Sequence, residues 1–408
     1  MTLFWFSRYR SQRDKAVAGI LLMVSSTIAY CPVPAFAHAF GQRYDLPLPL
    51  WMFVAGGAVA VFLSFVVIAL MMRSDRLPGD YPTYNLLRTP VGRLLAHPAT
   101  IGAVRFIFVF FFFLTLAAGY FGNTNPYQNI SVVTVWVVAW VGLAFVCSLI
   151  GNIWALINPW NTLFIWGEKW LKYIDPSREF SLNLPYPDGL GTWPAIIFFF
   201  LFAWMEIVWP GSDVPSNIAI ALSIYSMFTW LGMFLYGREA WLAKGEVFTV
   251  LYSVFARFAI TEVRVRDRDA AKGLFIYDID AKNRGCINGY GAFYKAPMGH
   301  REWNVRWPAV GLRNGDTPSI TLMIFIVFLL STVSYDGYTE TTHYQEMSKL
   351  LFTQISGLGQ LAFLIVETVS ISSFPVLFIV IYLGSIILVR AVAGSSIRIE
   401  VVAPLFVF

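Results

Sequence analysis

Apolar residues run along this chain in long blocks, separated by short polar segments. Seven blocks, at 50–72, 101–121, 132–150, 193–208, 217–236, 319–333 and 374–389, approach or reach the 17 to 25 residues that carry an α-helix across a bilayer. Two stretches break this rhythm. From Ser148 to Trp166 the sequence "SLIGNIWALINPWNTLFIW" is apolar but interrupted by Gly151, Asn152 and Asn158-Pro159-Trp160. Proline removes a backbone donor and disfavours helix in the residue before it, which predicts a helix end at Asn158 followed by an interfacial helix rather than a second crossing. From Leu350 to Val389 the apolar length exceeds one crossing, and Ser372, Ser373 and Pro375 are expected to split it. Residues 350–368 would then stay on the outer side, or dip in and return.

Ahead of the first block, Arg8, Arg10, Arg13 and Lys15 precede an apolar run and the sequence "AFAHAF" at 35–40. A basic region, an apolar core and an A-x-A site in that order form a secretory signal peptide, cut after Ala37. His38 would then open the mature chain with an amino group and an imidazole. An uncut signal anchor is the alternative. The expected organisation is a signal at 1–37, five helices over 38–236, a basic cytoplasmic loop over 237–317 with a small hairpin, and C-terminal helices over 318–408. The final "VVAPLFVF" reads as the start of a further span that the chain cuts short.

Composition agrees with this architecture. The 408 residues are 57% hydrophobic and 13% charged, about half the charge of a soluble chain. The fold class is an all-α integral membrane protein of about seven transmembrane helices after the signal, and its first partner is the lipid bilayer. The net charge of +5 marks the cytoplasmic side of a membrane protein, so nucleic acid is not an expected partner. Arg73, Arg76, Arg88 and Arg93 lie in one expected inner loop, and thirteen Lys and Arg lie in 237–317. The outer loops "GNTNPYQN" and "GSDVPSN" carry no basic residue, which orients a bacterial inner-membrane protein with its mature N-terminus in the periplasm. Three scattered cysteines, Cys31, Cys147 and Cys286, make no disulfide framework or cysteine metal site.

Soluble-enzyme motifs are missing from the sequence, so chemistry is sought among polar groups in costly places. Of four histidines, His38 and His343 fall on the outer side, and His343 lies in "SYDGYTETTHYQE" near Asp336, Glu340 and Glu346. Imidazole and carboxylate are ligand types for zinc and copper, so His38, Asp336 and His343 form a candidate divalent-metal set. An acidic, hydrated loop is the plainer reading of the same residues. Glu206 in "FAWMEIVWP" and Glu367 in "FLIVETVS" are candidate catalytic carboxylates, because ionisable groups in apolar spans are costly. Arg105 is expected to snorkel to the inner surface.

At "HAFGQRYDLPLPLW" and "GNIWALINPWNTLF" the chain resembles the polytopic bacterial membrane proteins known as fenitrothion hydrolases, and the similarity runs over most of its length. The resemblance implies hydrolysis of an organophosphorus triester, releasing a nitrophenol and a dialkyl thiophosphate. It also implies that relatives continue through at least one more apolar segment. It supplies no catalytic motif that maps onto this sequence. A small apolar substrate and an aromatic-rich cavity near the outer boundary suit such a reaction. Two other classes compete: a transporter or channel built on the interrupted helices, and a periplasm-facing copper-handling protein.

Overall fold

The computed structural model describes residues 81–265, 287–288, 296–313 and 318–393, with isolated positions at 293 and between 52 and 66. The expected signal, His38, most of the first block and residues 394–408 lie outside them. Six helices among the described residues are long and apolar enough to cross a membrane, so the chain is a multi-pass, largely helical membrane protein. The fold divides into a larger unit over Phe65–Ile326 and a smaller one that includes Val327–Val407.

In the larger unit, β1 (Tyr84–Asn85) and α1 (Pro90–Leu95) lead into the first described span, α2 (Pro98–Phe121). Pro98 occupies the helix start, where its missing N–H costs nothing. The second span, α3 (Ile130–Leu149), is capped by Asn129, whose Oδ1 accepts from the Ser131 N–H at 2.9 Å. Over Val133–Gly142 this helix is π-helical, and the Tyr252 hydroxyl donates to the Ala139 carbonyl within that stretch. A π-helical stretch of this length is rare.

The expected break at Asn158 is present, with α4 (Trp154–Ile157) ending there and α5 (Pro159–Ile174) beginning. Arg105 does more than reach for water: its Nε donates to the Leu156 carbonyl at 3.0 Å, placing a cation at the C-terminal end of α4. Of the phenylalanine run in α2, Phe112 packs on Trp160 at 5.6 Å while Phe110, Phe111 and Phe113 face outward.

Two further spans follow, α6 (Trp193–Ile207) and α7 (Pro215–Tyr236). α2 and α7 approach closely at Gly119, where a Cβ would stand 2.6 Å from the Ala219 Cβ and 2.8 Å from the Pro215 carbonyl oxygen. Small residues let membrane helices meet at backbone distance. Gly119→Val should push them apart and cost about 1–3 kcal/mol, seen as a lower melting temperature of the detergent-purified protein. An unchanged melting temperature would contradict this packing.

The segment expected as a basic loop holds more structure than a loop. It opens with α8 (Arg238–Lys244) and α9 (Val247–Phe255), and Leu242, Val247, Leu251 and Tyr252 are buried. Then come β2 (Thr261–Val265), β3 (Ile287–Asn288) and β4 (Arg301–Val305). The hairpin expected within 273–297 lies almost wholly outside the described residues, while β2, β3 and β4 join β1 in a four-stranded antiparallel sheet of order β1-β4-β2-β3. Its half-buried Glu262 accepts from Arg306 at 2.7 Å and from the Tyr81 hydroxyl at 2.6 Å.

The smaller unit takes most of α10 (Ile320–Thr339), then α11 (Thr342–Gln354) and α12 (Gln360–Ala393). Two expectations are corrected here. Asp336 and His343 do not sit in an open loop: α10 continues through Thr339, and Thr341 caps α11 by accepting from the Tyr344 N–H at 3.2 Å. Nor do Ser372, Ser373 and Pro375 split the last apolar stretch, since α12 runs through Pro375 without a break. The Ser372 hydroxyl donates to the Thr368 carbonyl at 2.6 Å and the Ser373 hydroxyl to the Ser370 carbonyl at 2.8 Å. Both bonds fall on carbonyls upstream of Ile371, the one that Pro375 deprives of an N–H.

Candidate functional site

Two buried carboxylates, one in each unit, are the chemical centres of the described structure. In the larger unit Gly245 and Glu246 separate α8 from the apolar helix α9, and Glu246 is 1% exposed. It caps α9: Oε1 accepts from the Phe248 N–H at 3.1 Å and Oε2 from the Thr249 N–H at 2.8 Å and from the Thr249 hydroxyl. The other chain interruption meets it there. Asn158, at the start of α5, donates Nδ2 to Oε2 at 3.3 Å while its Oδ1 accepts from the Asn161 N–H at 3.0 Å. Trp154 Nε1 donates to Oε2 at 3.3 Å and the Tyr225 hydroxyl to Oε1 at 2.5 Å. All six donors are neutral. Four segments, α4, α5, α7 and α9, are therefore tied to one side chain.

Rings enclose this carboxylate. Trp154 lies 5.7 Å from Trp160 and 5.4 Å from Tyr252, and Tyr225 lies 5.2 Å from Trp160 and 5.8 Å from Phe248. Tyr225 and Phe248 also form a wall of a cavity of about 300 Å³ lined from α3, α6, α7 and α9.

In the smaller unit Glu367 is 8% exposed in the second turn of α12. Its Oε2 accepts from the Tyr335 hydroxyl at 2.9 Å and from the Tyr344 hydroxyl at 2.6 Å. Its Oε1 accepts from the Ser348 hydroxyl at 3.2 Å. Burial, followed by the hydrogen bond to Glu367, pushes the Tyr344 hydroxyl up to about 12, so it remains a donor at neutral pH. Tyr338 packs on Tyr344 at 5.3 Å and edge-on to the exposed His343 ring at 6.2 Å.

The sequence-predicted residues are thus partly gathered. Glu367 and His343 share one aromatic cluster through Tyr344 and Tyr338, and the exposed Asp336 lies in the last turn of the same unit's α10. Glu206 belongs to the larger unit, half-buried in the last turn of α6 and next in sequence to Met205, which lines the cavity. His38 lies outside the described residues. Among the described residues no three His, Cys, Asp or Glu side chains are grouped to hold a metal ion. Sequence reasoning missed Glu246 and Tyr225, and it did not see that Tyr335, Tyr344 and Ser348 would converge on Glu367. The available signal was the apolar run after Glu246, too short to span and so suited to a buried or re-entrant helix. Compared with protein-family models, characterised proteins and solved structures, the chain matches none.

Proposed function

We propose that the chain is a membrane-bound hydrolase of neutral organophosphorus triesters, with Glu367 as the base at its reaction centre. The observation that supports this reading is a carboxylate buried in an apolar helix end, hydrogen-bonded by two phenols and a serine and linked through rings to His343. Ionisable groups so placed are functional candidates by default. A triester is uncharged and dissolves in lipid, so its reaction centre belongs beside a span. In the reaction Glu367 takes the proton of the attacking water, a new P–O bond forms, and the bond to the aryl oxygen breaks. The Tyr335 and Tyr344 hydroxyls, both donating to Oε2, hold that carboxylate in place for the proton transfer. A zinc or copper ion on Asp336, His343 and His38, if bound, would lower the pKa of that water.

Washed membranes containing the protein should release nitrophenol from a dialkyl nitrophenyl thiophosphate. His343→Ala, at equal protein level, should lower turnover by roughly tenfold or more if His343 is a metal ligand. A chelator should lower wild-type turnover likewise, and added divalent metal should restore it. Unchanged turnover in both experiments would remove the metal from the reading, and no turnover by wild type would remove the hydrolase.

A transporter is the second reading, favoured by the meeting of two interrupted helical segments at Asn158 and Glu246. Broken helices build solute sites in transporters. Uptake of a labelled solute by sealed vesicles without its hydrolysis would support it. Copper bound tightly to wild-type protein that hydrolyses nothing would instead favour the copper-handling class.

A further inference from the structure

We propose that the cavity between α3, α6, α7 and α9 is a binding site for a neutral, ring-bearing apolar molecule taken directly from the bilayer. This site lies in the larger unit, and its assignment does not depend on the hydrolase reading.

Its lining, among the described residues, carries no charged side chain and contains five rings: Phe198, Phe202, Tyr225, Phe228 and Phe248. The single polar group among those rings, the Tyr225 hydroxyl, is engaged by Glu246. Water has nothing to hydrogen-bond in such a space, and cavities lined this way stay dry and take up aromatic molecules. A volume of about 300 Å³ sits at the lower end of small-molecule pockets and is sized for one or two rings.

An empty space inside a packed protein forfeits contacts that collapse of its walls would recover. Here collapse is opposed. Glu246 holds both the Tyr225 hydroxyl and the Phe248 N–H, so the two rings of the inner wall are fixed from behind. Phe202, in another wall, is wedged between Trp136 and Trp140 at 5.1 Å from each. The remaining side is different in character: Leu201 on α6, and Ile224 and Phe228 on α7, line the space and are each at least half exposed. Both helices are spans, so the surface presented there meets lipid. The entrance is therefore lateral, and a ligand that reaches it has already partitioned into the membrane. Face and edge contacts with rings favour an aromatic ligand over an aliphatic one of equal size.

The test uses the full chain in lipid nanodiscs and 1-fluoronaphthalene as a neutral probe, followed by its fluorine resonance. Wild type should show a saturable bound population above the partitioning seen in empty nanodiscs. Ala221→Trp, which places an indole into the cavity from α7, should weaken that binding by tenfold or more. Leu201→Phe, a milder change at the entrance, should weaken it by a smaller factor with the melting temperature unchanged, which separates filling from misfolding. Phe234→Trp, on the exposed surface of α7 away from the cavity, should leave binding as in wild type. Absence of a saturable component in wild type, or equal binding by Ala221→Trp and wild type, would overturn the proposal. So would a tightly held phospholipid, found by mass spectrometry of wild type and lost from Ala221→Trp, because an acyl chain would then be the occupant. Loss of nitrophenol release with probe binding intact would count against the hydrolase alone.

Discussion

Glu246→Ala is expected to destabilise the larger unit by at least about 3 kcal/mol, because it strands donors packed among the helices, at roughly 1–3 kcal/mol each. Trp154 Nε1, the Asn158 amide and the Tyr225 hydroxyl come from three separate segments, and all end on this one carboxylate. Glutamine is no remedy at this position. Every neighbour donates, to Oε1 from Tyr225 and Phe248 and to Oε2 from Trp154, Asn158 and Thr249, so an amide NH₂ on either side would face another hydrogen. Tyr225→Phe removes one donor from a carboxylate that keeps five, and should cost only about 1–2 kcal/mol. Thermal and denaturant unfolding of the three purified variants should rank Ala and Gln together and well below Phe. A Glu246→Gln protein as stable as wild type would refute the role given to this carboxylate.

Glu367→Gln is expected to behave in the opposite way, keeping the fold and losing turnover. Both tyrosines donate to Oε2 and, among the described residues, Ser348 is the one that donates to Oε1. A glutamine can therefore present its carbonyl to the phenols and donate its NH₂ to the Ser348 oxygen. It cannot take a proton. Loss of a general base typically costs a factor of about 10²–10⁴, and it should appear in kcat with KM little changed. Nitrophenol release at the wild-type rate by a well-folded Glu367→Gln protein would show that Glu367 is not the base.

The contrast between these carboxylates explains what was legible in the sequence. Spans are written locally, in runs of apolar residues, and so 101–121, 132–150, 193–208 and 217–236 were found to within a few residues, whereas 374–389 is the second half of a helix that begins at Gln360. The break at Asn158 was legible for the same reason, since the proline that causes it is the next residue. The sheet was not, because β1 at Tyr84 pairs with β4 at Val305 and no local pattern announces a partner so distant. Pro375 misled because a proline in a long apolar span breaks the helix or is carried through it according to what packs around it, which the local sequence does not say. Glu367 stood out as a charge in an apolar run. Glu246 did not, since its short apolar helix was surrounded by a basic segment and read as part of it. The donors that converge on each carboxylate come from residues far apart in the chain and are settled only by packing.

α12 carries a consequence of its length. At about 1.5 Å per residue its 34 residues extend roughly 50 Å, against a hydrocarbon core of about 30 Å. Membrane helices tilt by about 20° on average and rarely beyond 40°, which absorbs only part of the excess. One end of α12 must therefore leave the hydrocarbon, and the share that does so depends on the thickness of the lipid around it. Glu367 lies eight residues before Pro375, near the N-terminal end, so hydrophobic mismatch sets how deeply its carboxylate is immersed. Lipids of different acyl length would thereby tune the dielectric surroundings of the proposed reaction centre without changing a single residue.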